Sequence, residues 1–267
     1  MEHHLRPGRT DERTNRQSDQ GQRDKTHQCD LCAKCHADVR FRWTGSHHDL
    51  AMQPANEKTV LGNFDNASLT QFGVTSTFYR EDGKFMVRTE GPAGKLQNYA
   101  VKYVFGVEPL QQYLIEFPGG RMQALSLAWD TRPKGQGGQR WFHLYPNENI
   151  AYDDELHWTK PSQNWNTMCA ECHSTRLEKH YDAGTRTFST TWSEMDVACE
   201  ACHGPGSDHV LWARREAGWE KLEANRGLLL RLDERSDIHW KINPETGSAA
   251  RSRARSSDKE IEMCARC

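Results

Sequence analysis

Four Cys-x-x-Cys pairs constrain this chain more than any other feature. Cys32/Cys35, Cys169/Cys172, Cys199/Cys202 and Cys264/Cys267 take eight of its nine cysteines. In the first three pairs a histidine follows directly: His36, His173 and His203. The fourth reads C-A-R-C and the sequence stops, so the simplest reading is a motif cut just before its histidine. Cys29 is left over, with no role assigned. Few other means of building a core are visible. Hydrophobic residues make up 36% of 267 residues, and mean hydropathy is -0.90. A globular chain of this length normally carries a larger apolar share. Either much of the chain is disordered, or something other than side chains fills its interior.

C-x-x-C-H is the attachment motif of c-type haem. The spacing fits one helical turn, because residues i and i+3 share a face and i+4 is their neighbour. Two thiols on that face can add to the two vinyl groups on one porphyrin edge. The adjacent imidazole then ligates the iron. A porphyrin is itself a large apolar body, which accounts for the sparse core. The expected cofactor is therefore c-type haem, with three complete sites and a fourth truncated one. Zinc held by four thiolates is the bland alternative, but zinc ribbons do not require a histidine after each second cysteine. Thioredoxin-like redox chemistry would need a βαβ context that is absent. The 29/32/35 spacing resembles an iron–sulfur run but lacks its fourth cysteine.

A haem iron takes a sixth ligand unless it performs chemistry. His209 follows C-E-A-C-H-G-P-G-S-D, six residues after His203. That is too close to wrap around its own haem, so the turn would aim it at another one, that of motif 1 or motif 2. His48, next to His47 in G-S-H-H-D-L-A-M, is a second candidate. His143 in R-W-F-H-L-Y-P and His157 in L-H-W are each balanced between axial ligand and packed structural histidine. His180 and His239 rank lower; His3 and His4 sit in a polar tail, and His27 just before motif 1.

The expected fold class is α+β: short haem-bearing helices and loops with an inserted antiparallel β-rich region. Residues 1–26 read as a polar disordered tail, with no hydrophobic region of a secretory signal. Residues 27–57 carry motif 1 and a helix through Trp43, His47, His48 and Met52. Residues 58–145 contain no cysteine and read as a meander of five or six strands. Asp82-Gly83 marks a hairpin, and Tyr99, Val101, Tyr103 and Phe105 alternate with their neighbours. Residues 146–267 carry motifs 2 to 4, with a helix from Ser207 or Asp208 through Leu222. Arg251, Arg253 and Arg255 read as a solvated loop. No apolar run reaches the roughly 18 residues of a membrane span. A net charge of -2 gives no support to nucleic-acid binding.

Several blocks resemble bacterial multihaem cytochromes of the cytochrome c-552/c-554 type. They are W-T-G-S-H-H-D-L-A-M, F-G-V-E-P-L-Q-Q-Y-L-I-E-F-P-G-G-R, N-W-N-T-M-C-A-E-C-H-S-T and W-S-E-M-D-V-A-C-E-A-C-H-G-P-G-S-D-H. The resemblance covers roughly residues 29–267, and some members carry tetratricopeptide repeats further along. It implies that a Ser-x-His-x-x-Ala pattern, here Ser46, His48 and Ala51, supplies a distal imidazole, which favours His48 over His47. It also implies periplasmic haem attachment after export. The leading expectation is electron transfer to and from redox partner proteins, more than catalysis. The alternative is an oxidoreductase acting on a small nitrogen or sulfur compound at an open haem. A third class is a sensor or scaffold in which haems hold a β-rich interaction domain. No C-x-x-C-K motif is present to support a lysine-ligated open haem.

Overall fold

The structure is a computed structural model that describes the backbone of residues 28–265 and side chains from Leu31 onward. His27, Cys267 and the expected tail over 1–26 lie outside the described residues.

Nine strands form one antiparallel sheet. They are β1 (Met52–Pro54), β2 (Ala67–Gln71), β3 (Val74–Glu81), β4 (Lys84–Glu90), β5 (Leu96–Phe105), β6 (Leu110–Phe117), β7 (Arg121–Ala124), β8 (Leu127–Asp130) and β9 (Arg140–His143). The pairing path runs β2-β3-β4-β5-β6-β8-β9, with β1 on β5 and β7 on β6. The two ends of the path, β2 and β9, approach each other, so the sheet is nearly closed and barrel-like. The β3–β4 connection is a two-residue turn at Asp82 (φ 49) and Gly83 (φ 73). Positive φ at both positions matches the right-handed twist of the paired strands. A register shift between Val101 and Tyr103 bends β5 where it passes from β4 to β6, as a bulge does.

Alternation of buried and outward residues builds the interior. Phe78, Phe85, Val87, Val101, Tyr113 and Ile115 meet Leu125, Leu127, Trp129 and Trp141 in the main core. Phe64 enters from the β1–β2 connection and touches Phe78, Phe85, Tyr113 and Trp141 edge-on. Trp141 lies flat on Phe78, with ring centres 3.5 Å apart, and its indole donates to the Asn63 carbonyl. Strand β6 is buried on both faces. Tyr113 and Ile115 face the main core, whereas Leu114 joins Met52, Phe105, Met122, Trp165, Ala170 and Met195 in a second cluster. That second cluster is what docks the motif 2 segment on the sheet.

The α+β expectation, with haem-bearing helices as the frame and strands as an insertion, is overturned. Antiparallel sheet is the main regular structure. The helices α1 (Gln28–Ala33), α2 (Ala37–Trp43), α3 (Trp165–Met168), α4 (Ala170–His173), α5 (Cys199–His203), α6 (Ser207–Ala213) and α7 (Lys259–Cys264) are each four to seven residues long. The reason is that a Cys-x-x-Cys-His motif needs one helical turn and no more. The helix expected through Met52 stops at Trp43: Gly45 takes φ 76 and Met52 enters β1. The helix expected from Ser207 to Leu222 ends at Ala213, with a separate 3-10 turn at Trp219–Leu222. Two small hairpins complete the described residues: β10 (Tyr181–Asp182) with β11 (Thr187–Phe188), and β12 (Trp240–Ile242) with β13 (Ala249–Arg251). Arg251, expected in a loop, closes β13 and pairs with Glu234 at 3.5 Å.

Candidate haem sites

Motifs 1 to 3 each sit on one helical turn. In motif 1 the amides of Cys35 and His36 both donate to the Cys32 carbonyl, at 3.1 and 2.8 Å, between α1 and α2. In motif 2 the Cys172 amide donates to the Cys169 carbonyl at 3.1 Å. Asn164 caps the preceding turn, its side-chain oxygen accepting from the Thr167 amide at 3.1 Å. Such a cap satisfies a donor that the helix start leaves open. Motif 3 makes up the whole of α5, so Cys199, Cys202 and His203 share one short helix. Cys199 and Cys202 are both half-buried there, one turn apart. In motif 4, Cys264 ends α7 and is exposed. Burial pushes the Cys169 thiol up from its ordinary value.

The histidines behind these turns are held by backbone carbonyls. His173 Nδ1 lies 2.8 Å from the Ala51 carbonyl, and His203 Nδ1 lies 3.4 Å from that of Leu230. An imidazole that donates from Nδ1 presents an unprotonated Nε2, the tautomer a metal ligand needs. His209 shows the same device, with Nδ1 2.8 Å from the Arg226 carbonyl. Gly227 makes that approach possible. Its φ is +70, and a Cβ there would lie 2.5 Å from the His209 amide nitrogen. Trp212 flanks the other side of the ring at 5.6 Å.

His209 also faces motif 1. Its ring centre is 6.1 Å from that of His36, with 20° between the planes. The two rings are stacked, which places His209 beside motif 1. The fit to a covalently bound haem rests on paired thiols one turn apart, followed by a histidine whose Nδ1 is tied to a backbone carbonyl.

His48 lies among the turns after α2, exposed, and its segment joins two motifs. Its carbonyl accepts from Val197, two residues before Cys199, at 3.1 Å. The Trp43 indole donates to the Val197 carbonyl at 3.0 Å. With Ala51 behind His173, residues 43–51 thus tie motif 1 to motifs 2 and 3.

His143 and His157 are placed differently. The Tyr145 amide donates to His143 Nδ1 at 3.0 Å, which leaves the proton on Nε2. His157 is buried, with Nδ1 2.9 Å from the Thr159 hydroxyl and Nε2 3.8 Å from the Glu90 carboxylate. Desolvation pushes it down to about 4, so it is neutral near pH 7. Both line one cavity of the β body, and their partners Tyr145, Thr159 and Glu90 lie outside the Cys-x-x-Cys-His turns.

The surroundings of the motifs are apolar and uncovered. Phe41 is 81% exposed after motif 1, Met168 63% before motif 2 and Leu229 79% across Gly204 of motif 3. Among the described residues, no three His, Cys, Asp or Glu side chains converge as a polydentate metal site would require. Cys199 and Cys202 therefore do not meet Cys169 and Cys172 in the four-thiolate cluster that zinc would need. A haem iron takes its protein ligands in ones and twos.

Residues 135–204 match the sequence model of the family described as cytochrome c554 and c-prime. The match supports membership of the cytochrome c family. It spans motifs 2 and 3 whole and ends at Gly204. No curated protein and no solved structure matches the chain. The match supports c-type haem as cofactor and an electron-transfer role, with redox partners. Among the described residues, no helix is long and apolar enough to cross a membrane.

The sequence did not point to Leu230, Arg226 or Gly227 as parts of these sites, and it singled out Ala51 only within the Ser-x-His-x-x-Ala pattern, not as the carbonyl behind His173. Three of them act through a backbone carbonyl, and a carbonyl has no side-chain signature. Only the glycine could have been flagged.

Proposed function

We propose that the chain is a multihaem c-type cytochrome of an exported compartment, carrying single electrons between partner proteins. Cys32/Cys35, Cys169/Cys172 and Cys199/Cys202 hold three haems covalently, and Cys264/Cys267 belong to a fourth motif. His36, His173 and His203 are the proximal ligands. His209 is the distal ligand on the motif 1 iron, and His48 is a second distal ligand. When bound, the haem supplies a reversible one-electron iron couple. The protein groups do the rest. The carbonyls of Ala51, Leu230 and Arg226 fix the tautomer and orientation of His173, His203 and His209. The sheet and its second cluster hold motif 2 rigid, which keeps reorganisation small. Imidazole on both faces of an iron favours a lower potential than His/Met ligation.

The observation that carries this reading is the three Cys-x-x-Cys-His motifs, with His173, His203 and the nearby His209 each tied through Nδ1 to a backbone carbonyl. Mass spectrometry of denatured protein from a host with c-type maturation tests it. The expected covalent mass is three haems for this sequence, and four if a histidine follows Cys267. Apoprotein mass with bound zinc would overturn it. Carbon monoxide added to the reduced protein separates the readings further: an unshifted spectrum means every iron is closed, and a shifted band means an open, catalytic iron.

A further inference from the structure

The β body carries a cavity that the haem sites do not use. It measures about 280 Å³ and lies between strands β2, β3, β4, β8 and β9 and the loop over residues 148–158. Its acidic lining residues are Glu90 and Glu148, and among the described residues neither Lys nor Arg lines it. Lys160 is close enough to act on His157 but stands outside the lining. The Glu90 side chain is mostly buried, and the basic group nearest it, His157 at 3.8 Å, is neutral near pH 7. Burial and the nearby Asp153 carboxylate hold Glu90 above its ordinary value, as expected of a carboxylate without a cation.

Three aromatic rings stand in the walls beside aliphatic side chains. Phe72, Tyr152 and Trp158 line the cavity, and Phe72 and Tyr152 stand at its rim, 48% and 41% exposed. Phe72 sits at the first turn position of the β2–β3 hairpin with φ 48, followed by Gly73 at φ 81. That position suits Asn, Asp or Gly, and a bulky residue there is a true outlier. Strain of this kind is kept where it serves a site. Here it holds an aromatic ring at the cavity mouth. An apolar cavity of about 150 Å³ takes a benzene ring, so this one has room for a ring with a short chain.

We propose that this cavity binds a small organic ammonium ion with a single-ring apolar body. The ammonium donates to Glu90, while Phe72, Tyr152 and Trp158 enclose the ring and face the charge.

Isothermal titration calorimetry on the holoprotein tests this with three probes of one shape: 2-phenylethylammonium, 2-phenylethanol and phenylacetate. The ammonium should bind one to one and at least tenfold tighter than the alcohol, with phenylacetate not binding. Glu90→Gln should bring the ammonium down to the alcohol's affinity. Phe72→Gly should weaken both ligands without lowering the thermal midpoint, because glycine takes φ 48 freely. Absence of saturable binding, equal affinity for ammonium and carboxylate, or an unchanged ammonium affinity in Glu90→Gln would each overturn the proposal. Should Glu90→Gln fold poorly, the probe series on the native protein and the Phe72→Gly variant decide it.

Discussion

The β body and the motif-bearing periphery of this molecule are stabilised by different materials. Every buried hydrophobic residue among those described lies between Ala51 and Ala198. The helices α2, α5, α6 and α7 contribute none. In the β body, alternating strands face each other across an aromatic interior and exclude water unaided. Around motifs 1, 3 and 4, side chains such as Phe41, Leu229 and Ile261 remain exposed. Motif 2 stands between the two, since Trp165 and Ala170 are buried against β7 and the sheet's second cluster. The comparison teaches that one chain can join a self-sufficient fold to a periphery that, on the proposed reading, waits for a cofactor.

Withholding haem breaks the comparison open. Expressed without c-type maturation, residues 28–50 and 199–265 should become protease-sensitive, while the sheet from β2 to β9 keeps its β signal. Limited proteolysis read by mass spectrometry, beside circular dichroism, checks this. Equal resistance of apo- and holoprotein would show that the periphery builds its own core after all.

Trp141→Ala attacks the other side. It removes the ring that packs on Phe78 and touches Phe64, Tyr113 and Trp129. Truncation of a buried tryptophan costs about 3–5 kcal/mol. Chemical denaturation should show that loss in the β signal, whereas covalent haem content stays unchanged in protein that folds.

Acid should weaken the β body through His157. Its folded value, about 4, lies below the ordinary 6.5, so the unfolded chain binds the proton more tightly. Stability therefore falls as pH drops from about 6.5 to about 4 and levels off below, by up to about 3 kcal/mol. Glu90 is displaced upward and works in the opposite direction, which trims the loss. Denaturation midpoints across that window should show a slope that His157→Gln flattens.

The smallest effect on stability is expected at His209. Its ring is held by one carbonyl at the half-buried edge of α6, so His209→Ala should change the denaturation midpoint little. Its electronic effect is distinct. All covalent haem should remain, one iron should turn high-spin, and that couple's potential should rise. Electron paramagnetic resonance and redox titration read both. A fully low-spin variant with unmoved potentials would make His209 a surface histidine.

Much of this arrangement is legible in the order of the residues. Asp82-Gly83 with alternating flanks marks the β3–β4 hairpin, and the period-2 runs around Val101 and Tyr113 mark β5 and β6. The short strands β1, β2 and β7 are not legible in that way. Met52–Pro54 lies in a segment with helix-like spacing, and it is strand only because β5 offers an unpaired edge. The weight given to helices was misplaced for a related reason. A recurring Cys-x-x-Cys-His motif is conspicuous, yet each one specifies only a single turn, as Cys199, Cys202 and His203 show by filling α5 from end to end.

The sequence by itself carries the signal for the proposed chemistry, because a haem-attachment motif is five contiguous residues and needs no distant partner. It also determined that side chains alone would leave part of the chain without a core. Which histidines face which motif was decided only by tertiary structure. His36 and His209 are 173 residues apart in sequence, and their rings come within 6.1 Å. The chain returns there because Gly227 lets the Arg226 carbonyl press against α6, and because Trp43 and His48 anchor to Val197. Those contacts run through backbone atoms that every residue shares, so no local pattern can announce them.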